Sequence, residues 1–253
     1  MILLRKILKI FLLLLWSLFA MIPASLSRIG RSPWRKVALG AFWAKFWAKG
    51  AARITGVKTV VHGVLPESRG KLLISNHLGY LDVLAHASVF NIRFAPKAEI
   101  KNWFLFGTLV SLGSPVWIDR KKQLRSREYA EVFKETLEHN VALLVYPEGT
   151  STDGKHGLLP FKSTPFAALP ENCAILPTLL FYHEKPENSV PGAWFGDISF
   201  AQHVWNVLGL KEIRIDMVIM PEITALPGEQ RKELAARVHK AMTEEYEKYE
   251  NVF

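Results

Sequence analysis

A chain of 253 residues, 49% hydrophobic and 22% charged, can bury one substantial core and is not a disordered polymer. Its single cysteine, Cys173, excludes an intramolecular disulfide and any cysteine-based zinc cluster. The net charge of +9 is local, because residues 1–58 hold eleven Lys or Arg and no acidic residue while the remainder carries 21 basic against 23 acidic residues. A nucleic-acid domain spreads its basic footprint over the folded surface, so this distribution argues for an anionic membrane surface and against nucleic acid as the partner.

Residues 7–22, "ILKIFLLLLWSLFAMI", form an apolar run broken only by Lys9 and Ser17. As a helix the run is roughly 24 Å long, short of a hydrocarbon core of roughly 30 Å. Arg5, Lys6 and Lys9 mark one end and Arg28, Arg31, Arg35 and Lys36 follow the other, so charge asymmetry sets no orientation. That symmetry fits a segment dipping into one leaflet with both ends on the cytoplasmic side of the inner membrane. A secretory signal peptide ending near "ASLS" is the rival. Against it stands "PWRKVALGAFWAKFWAKGAARITG" (33–56), a predicted helix with Pro33 in its first turn and Gly56 past its end. Its aromatics Phe42, Trp43, Phe46 and Trp47 step along one face, with lysines beside them. Lying in the lipid interface is the favoured placement, and packing on the protein core is the alternative.

From residue 57 the pattern becomes strands alternating with helices. "VKTVVHGV" and "KLLIS" read as strands, followed by helical spacing at Leu81, Leu84, Ala85, Ser88 and Val89. Then come strand-like "NIRFAPK", helical "EIKNWFLFGTLVSL", strand "PVWID", helix "KQLRSREYAEVFKETLEHN" and strand "VALLVYPE". The loop "GTSTDGKHGLLP", helical "FKSTPFAALPEN" and strand "CAILPTLLFY" follow, with Cys173 a small core residue. A Gly/Pro-rich stretch, strand "KEIRIDMVIM" and a charged helix from about Gly228 complete the chain. The expected fold is α/β, a mixed, mostly parallel sheet flanked by helices over 57–253, preceded by membrane-anchoring helices over 1–56.

In such a sheet, functional groups gather beyond the carboxyl ends of strands. Asn76 and His77 follow "KLLIS", and "PEGTSTDG" follows "VALLVY". The His77–Asp82 spacing alone carries little, since His62 and His239 also have a glutamate five residues on. Position after a strand separates His77 from them. "GTSTDG" misses the nucleophile elbow because Asp153 stands where its second glycine is required. No Gly-rich dinucleotide loop, P-loop or zincin motif occurs, and the scattered histidines give no support to a metal site.

"NHLGYLD", "GSPVWIDR", "YPEGT" and "ILPTLL", in that order and spacing, resemble the glycerolipid acyltransferase family, whose bacterial members include 1-acyl-sn-glycerol-3-phosphate acyltransferases. The resemblance spans about 57–221. It matches Asn76, His77 and Asp82 in one block and Pro147 to Thr150 in another. Lys97 and Glu99 match a Lys-x-Glu-Leu segment with Ile100 for its leucine, and Phe161 and Lys162 match a Phe-Lys segment. An imidazole can take a hydroxyl proton near neutral pH, and a carboxylate can fix its tautomer. The resemblance implies that His77 is the base and Asp82 orients it, and that attack is direct with no acyl-enzyme. It further implies that Glu148, Gly149 and Thr150 hold the acceptor, with Arg120 and Lys162 on its phosphate and Asn76 and Lys97 in support. The implied partners are a lysolipid acceptor, an acyl-CoA or acyl-carrier-protein donor and the membrane, with no metal or organic cofactor. Two positions depart from the pattern. Ser114 stands where the second block begins with glycine, and Ser151 replaces the arginine common in phosphatidate-forming members. Lyso-ornithine lipid is therefore an alternative acceptor. A serine hydrolase using Ser151 and His77, and a non-enzymatic membrane-binding protein, are the remaining alternatives.

Overall fold

The computed structural model describes residues 1–67, 69–103, 106–119, 126–170, 172–183 and 192–250, apart from the side chains of 126, 127, 168 and 250. Two helices come first, α1 (Ile2–Leu26) and α2 (Pro33–Thr55). The sheet and its covering helices follow as β1 (Val57–His62), β2 (Leu72–Ser75), α3 (Tyr80–Val89), β3 (Ile92–Phe94), α4 (Phe106–Leu112), α5 (Ser126–Glu138) and β4 (Ala142–Val145). The chain ends with β5 (Ala174–His183), α6 (Phe200–Val207), β6 (Ile213–Ile219), β7 (Ile223–Thr224) and α7 (Arg231–Glu250).

The main sheet order is β1-β6-β5-β2-β4-β3, with β7 on β5. Every pairing is parallel except β5 with β6 and β5 with β7, giving the expected mixed, mostly parallel sheet. β2 reads as an unbroken apolar run because both its faces are covered. Leu73 joins a core with α2, α3 and α6, whereas Leu72 and Ile74 face the core under α5 and α7. Burying each such side chain contributes about 1.5–3 kcal/mol.

α1 extends beyond the apolar run at both ends, and its cations turn inward. Lys9, only 8% exposed, donates to Leu210 O at 2.8 Å and to Thr55 O, and Arg5 donates to Gly209 O at 2.6 Å. These are carbonyls at the ends of α2 and α6, where orphan acceptors favour cations. Lower down, Trp16 donates to Trp47 O, and Trp47 donates to Ser17 Oγ. Ile7, Phe11, Leu14, Leu18 and Ile22 remain on the outer face.

One side of the 33–56 helix packs on the core, while Phe42 of its aromatic face stays exposed. Ala41, Ala48, Ala51 and Ala52 are buried, and Phe46 meets Trp16 of α1 at 5.0 Å between ring centroids. Gly56 ends the helix at φ 84° as expected.

Three expected elements are shorter or absent. "PVWID" makes only a single bridge, Ile118 to Lys97, since Pro96 and Pro115 lack the donors a ladder needs. "FKSTPFAALPEN" forms one 3-10 turn, Thr164–Ala168, with Pro165 near its start and Pro170 just after it. "EIKNWFLFGTLVSL" divides into a 3-10 turn, Ala98–Asn102, and α4. Two elements were not foreseen, β7 and the eight-residue α6 inside the Gly/Pro-rich stretch.

Ser114 adopts φ 51°, a left-handed conformation that costs a non-glycine residue about 1–2 kcal/mol. That explains why glycine suits this position in the resembled block. The serine is held by Arg28, which donates to its Oγ at 2.8 Å, and Arg93, which donates to its carbonyl at 2.6 Å.

Candidate active site

β2 and β4 are adjacent parallel strands, so the loops that follow them emerge side by side. The Asn76–His77 segment and the Pro147–Thr152 segment are then joined through the His77 backbone. His77 N–H donates to Glu148 Oε1 at 2.9 Å, and Thr152 N–H donates to His77 O at 2.9 Å. Asn76 is a structural clamp, since its amide exchanges two bonds with the Leu180 backbone and extends the β2–β5 ladder by one step.

Asp82 is the third residue of α3, where a carboxylate satisfies orphan N–H groups and meets the positive end of the helix dipole. Its Oδ2 accepts from Leu78 N–H at 2.6 Å and Gly79 N–H at 2.9 Å, and from His77 Nδ1 at 2.7 Å. The turn that brings them together passes through Gly79 at φ 150°, where a Cβ would lie 2.9 Å from Trp194 N. Asp82 is fully buried, whereas the His77 side chain is 20% exposed. With Nδ1 engaged, Nε2 is the ring atom without a hydrogen-bond partner among the described residues, and it is the atom able to take a proton.

Three further side chains complete this arrangement, and sequence reading missed all of them. Tyr146 stacks on the His77 imidazole at 4.2 Å and 12°. His86, fully buried, bonds the Asp82 carbonyl at 2.8 Å, and burial lowers its pKa to about 4, so it adds no second positive charge beside Asp82. Tyr182 donates to Asp82 Oδ1 at 2.6 Å, and burial with the Asp82 charge raises its phenol pKa well above the ordinary value, so its proton stays in place. A hydrogen bond to a charged acceptor contributes about 1.5–3 kcal/mol. Tyr182→Phe is therefore expected to lower kcat about tenfold with both KM values within about twofold, measured by steady-state kinetics. An unchanged kcat would show that Asp82 holds its place without the phenol.

Glu148 is 5% exposed and uses both carboxylate oxygens internally, on His77 N–H and on Leu159 N–H at 3.1 Å. It fastens the His77 loop. Burial raises its pKa from 4.5 to about 7, against the two backbone bonds and the nearby imidazole, which lower it. Between those pH values the folded protein holds a proton that the unfolded chain has released. Stability linked to Glu148 is therefore greatest below pH 4.5 and declines as pH rises towards 7, by about 3 kcal/mol at most. Glu148→Gln removes this dependence. The unfolding free energy of the wild type minus that of the variant should fall by about 2–3 kcal/mol across the window, and a constant difference would refute the assignment.

Gly149 (φ 75°) crosses under Lys162, whose Nζ would lie 2.3 Å from a Cβ at that position. Lys162 N–H also donates to Pro147 O, so this exposed residue is tied to the Pro147–Thr150 segment. Exposed Lys97 lies past the end of β3, the neighbour of β4, at the same edge of the sheet. Arg120 lies outside the described residues. His62, the look-alike, bonds instead to Asp216, which His183 and Arg214 also contact on the face away from α3.

A family model described as Acyltransferase matches residues 58–180. The chain is 30% identical over 197 residues to a lyso-ornithine lipid O-acyltransferase of Rhodobacter capsulatus, covering 75% of this chain and 70% of that protein. A second protein of that name, from Rhizobium meliloti, is 28% identical over 188 residues, which span 68% of this chain and 64% of the relative. A 1-acyl-sn-glycerol-3-phosphate acyltransferase of Neisseria gonorrhoeae is 25% identical over 196 residues, 77% of this chain and 76% of the relative. In fold, the chain superposes on the crystal structure of the 1-acyl-sn-glycerophosphate acyltransferase PlsC from Thermotoga maritima with a TM-score of 0.65 at 18% identity, over 97% of this chain and 98% of that one. The paired loops, the buried aspartate and the imidazole thus sit in a matched sequence and a matched fold, and the chain belongs to the acyltransferase family.

Proposed function

We propose that this protein transfers a fatty acyl group from an acyl thioester, acyl-CoA or acyl-carrier protein, to the hydroxyl of a membrane lysolipid. The observation that carries the proposal is the His77–Asp82 pair, with Nδ1 fixed at 2.7 Å in a side chain that is 20% exposed. The acceptor hydroxyl gives its proton to Nε2 as its oxygen attacks the thioester carbonyl. Asp82 stabilises the imidazolium formed. When the tetrahedral intermediate collapses, the carbon–sulfur bond breaks and the thiolate recovers that proton. The reaction needs no metal or organic cofactor, because the thioester is itself a substrate.

α1 supports a membrane location. It is 25 residues long, sufficient in length and composition to cross a membrane. Bonds from Arg5, Lys9 and Trp16, however, hold one side of it to the folded domain, while its leucines face outward. A helix so fastened supports a reading in which it lies along one leaflet, with the active site at the cytoplasmic surface of the inner membrane.

For the acceptor, 1-acyl-sn-glycerol-3-phosphate, yielding phosphatidic acid, is the first reading, and Lys162 beside Gly149 is the cation that supports it. Lyso-ornithine lipid is the second, favoured by the neutral Ser151 and by the two relatives of that name. Labelled acyl donor should be offered with each acceptor to the wild type and to Ser151→Arg. A guanidinium on the phosphate is expected to raise kcat/KM for the phosphate-bearing acceptor about tenfold relative to the other. An unchanged ratio would place headgroup recognition away from residue 151.

A further inference from the structure

Outside the His77–Asp82 machinery lies an apolar groove of about 460 Å³, lined by Ile10 of α1, by Trp103, and by Phe200, Val204, Trp205 and Leu208 along α6. α6 has one buried side and a second, apolar side. His203 and Val207 are buried inward, while Ala201, Val204, Trp205 and Leu208 repeat at helical spacing on the side that faces the groove. Trp103 and Trp205 are 39% and 41% exposed there, and Lys6 reaches over the Trp205 ring at 4.7 Å, fixing the indole as one wall.

Two observations say what covers it. The groove opens beside the outward leucine face of α1, so its contents can arrive sideways from lipid. At the other end its lining packs towards the loop that carries the base. Trp103 packs on Phe200 at 4.9 Å, Phe200 meets Tyr80 at 5.1 Å and Trp194 at 5.4 Å, and Trp194 N–H donates to the carbonyl of Leu78, the neighbour of His77. A hydrocarbon chain in this groove therefore lies beside the residues that pack on the His77 loop.

We propose that the groove holds the single hydrocarbon chain of the lysolipid acceptor, an inference that rests on the acyl-transfer reading above. The acceptor resides in the membrane and can slide along this wall, whereas the thioester's polar carrier approaches from water. Acceptors are thus selected by their chain as well as their headgroup.

The test uses the full chain without acyl donor and a long-chain lysolipid carrying a photoreactive group on its chain, kept below micelle-forming concentration. Irradiation should label Trp103 and residues 200–208, and Ala201→Phe, which fills the groove, should reduce that labelling about fivefold. Label confined to the outer leucines of α1, or equal in the variant, would mean bulk lipid contact only and would overturn the proposal. Kinetically, Ala201→Phe should raise KM for a long-chain acceptor about tenfold while leaving KM for its short-chain form and for the thioester within about twofold. Equal changes for both acceptors would overturn it as well. Labelling that persists in a wild type showing no transfer would instead overturn the reaction and leave the groove as a lipid site.

Discussion

Replacing His77 by Ala is expected to lower turnover by about 10²–10⁴-fold, the range for losing a general base, while leaving the fold intact. The separation of the two effects follows from how the residue is held. Its backbone is clamped by Glu148 and Thr152, and neither bond needs the imidazole. The side chain contributes a bond to Asp82 and a stack on Tyr146, and is partly exposed. Melting temperature and circular dichroism should therefore change little as activity collapses. Retained turnover in His77→Ala would remove the base from the account.

Asp82→Asn is expected to damage both activity and stability. Oδ2 accepts three donors and Oδ1 accepts Tyr182, so the carboxylate is a cap for α3 as well as the partner of His77. A carboxamide can keep its oxygen towards the three donors and turn its amino group to the Tyr182 oxygen, but every bond then loses its charge. Weaker bonds and the lost charge at the helix terminus should cost about 2–3 kcal/mol in unfolding free energy. With no negative charge to stabilise the imidazolium, turnover should fall about a hundredfold or more. Denaturant unfolding and steady-state rates on the same preparation check both, and a fully active, equally stable Asn variant would contradict this role.

The sheet was legible because its strands are short apolar runs separated by Gly, Pro or charged loops, and because a parallel arrangement puts loops such as 76–82 and 147–152 at one edge. His77 and Asp82 could be paired from sequence only through the position after a strand and the ordered motifs, because the same spacing recurs at His62 and His239. Tyr182 could not, because it lies 100 positions from Asp82 and is brought there only by the β2–β5 pairing. The internal use of Glu148 was equally hidden. A carboxylate in a loop reads as a ligand-binding arm, and only tertiary structure reveals the two amides that occupy it. The inward turn of Lys9 had the same cause, since a lysine in an apolar run reads as an interruption until its carbonyl partners are known. α6 had a signal, the stripe Ala201, Val204, Trp205 and Leu208, but eight residues among glycines and prolines are too few for a periodic pattern to stand out.

The most direct measurement follows a labelled acyl group from its thioester in lipid vesicles containing the wild type or His77→Ala, with and without lysolipid acceptor. The account predicts label in a two-chain lipid only when the wild type and an acceptor are both present. Label released as free fatty acid, label retained on the protein, or transfer that persists in His77→Ala would contradict it.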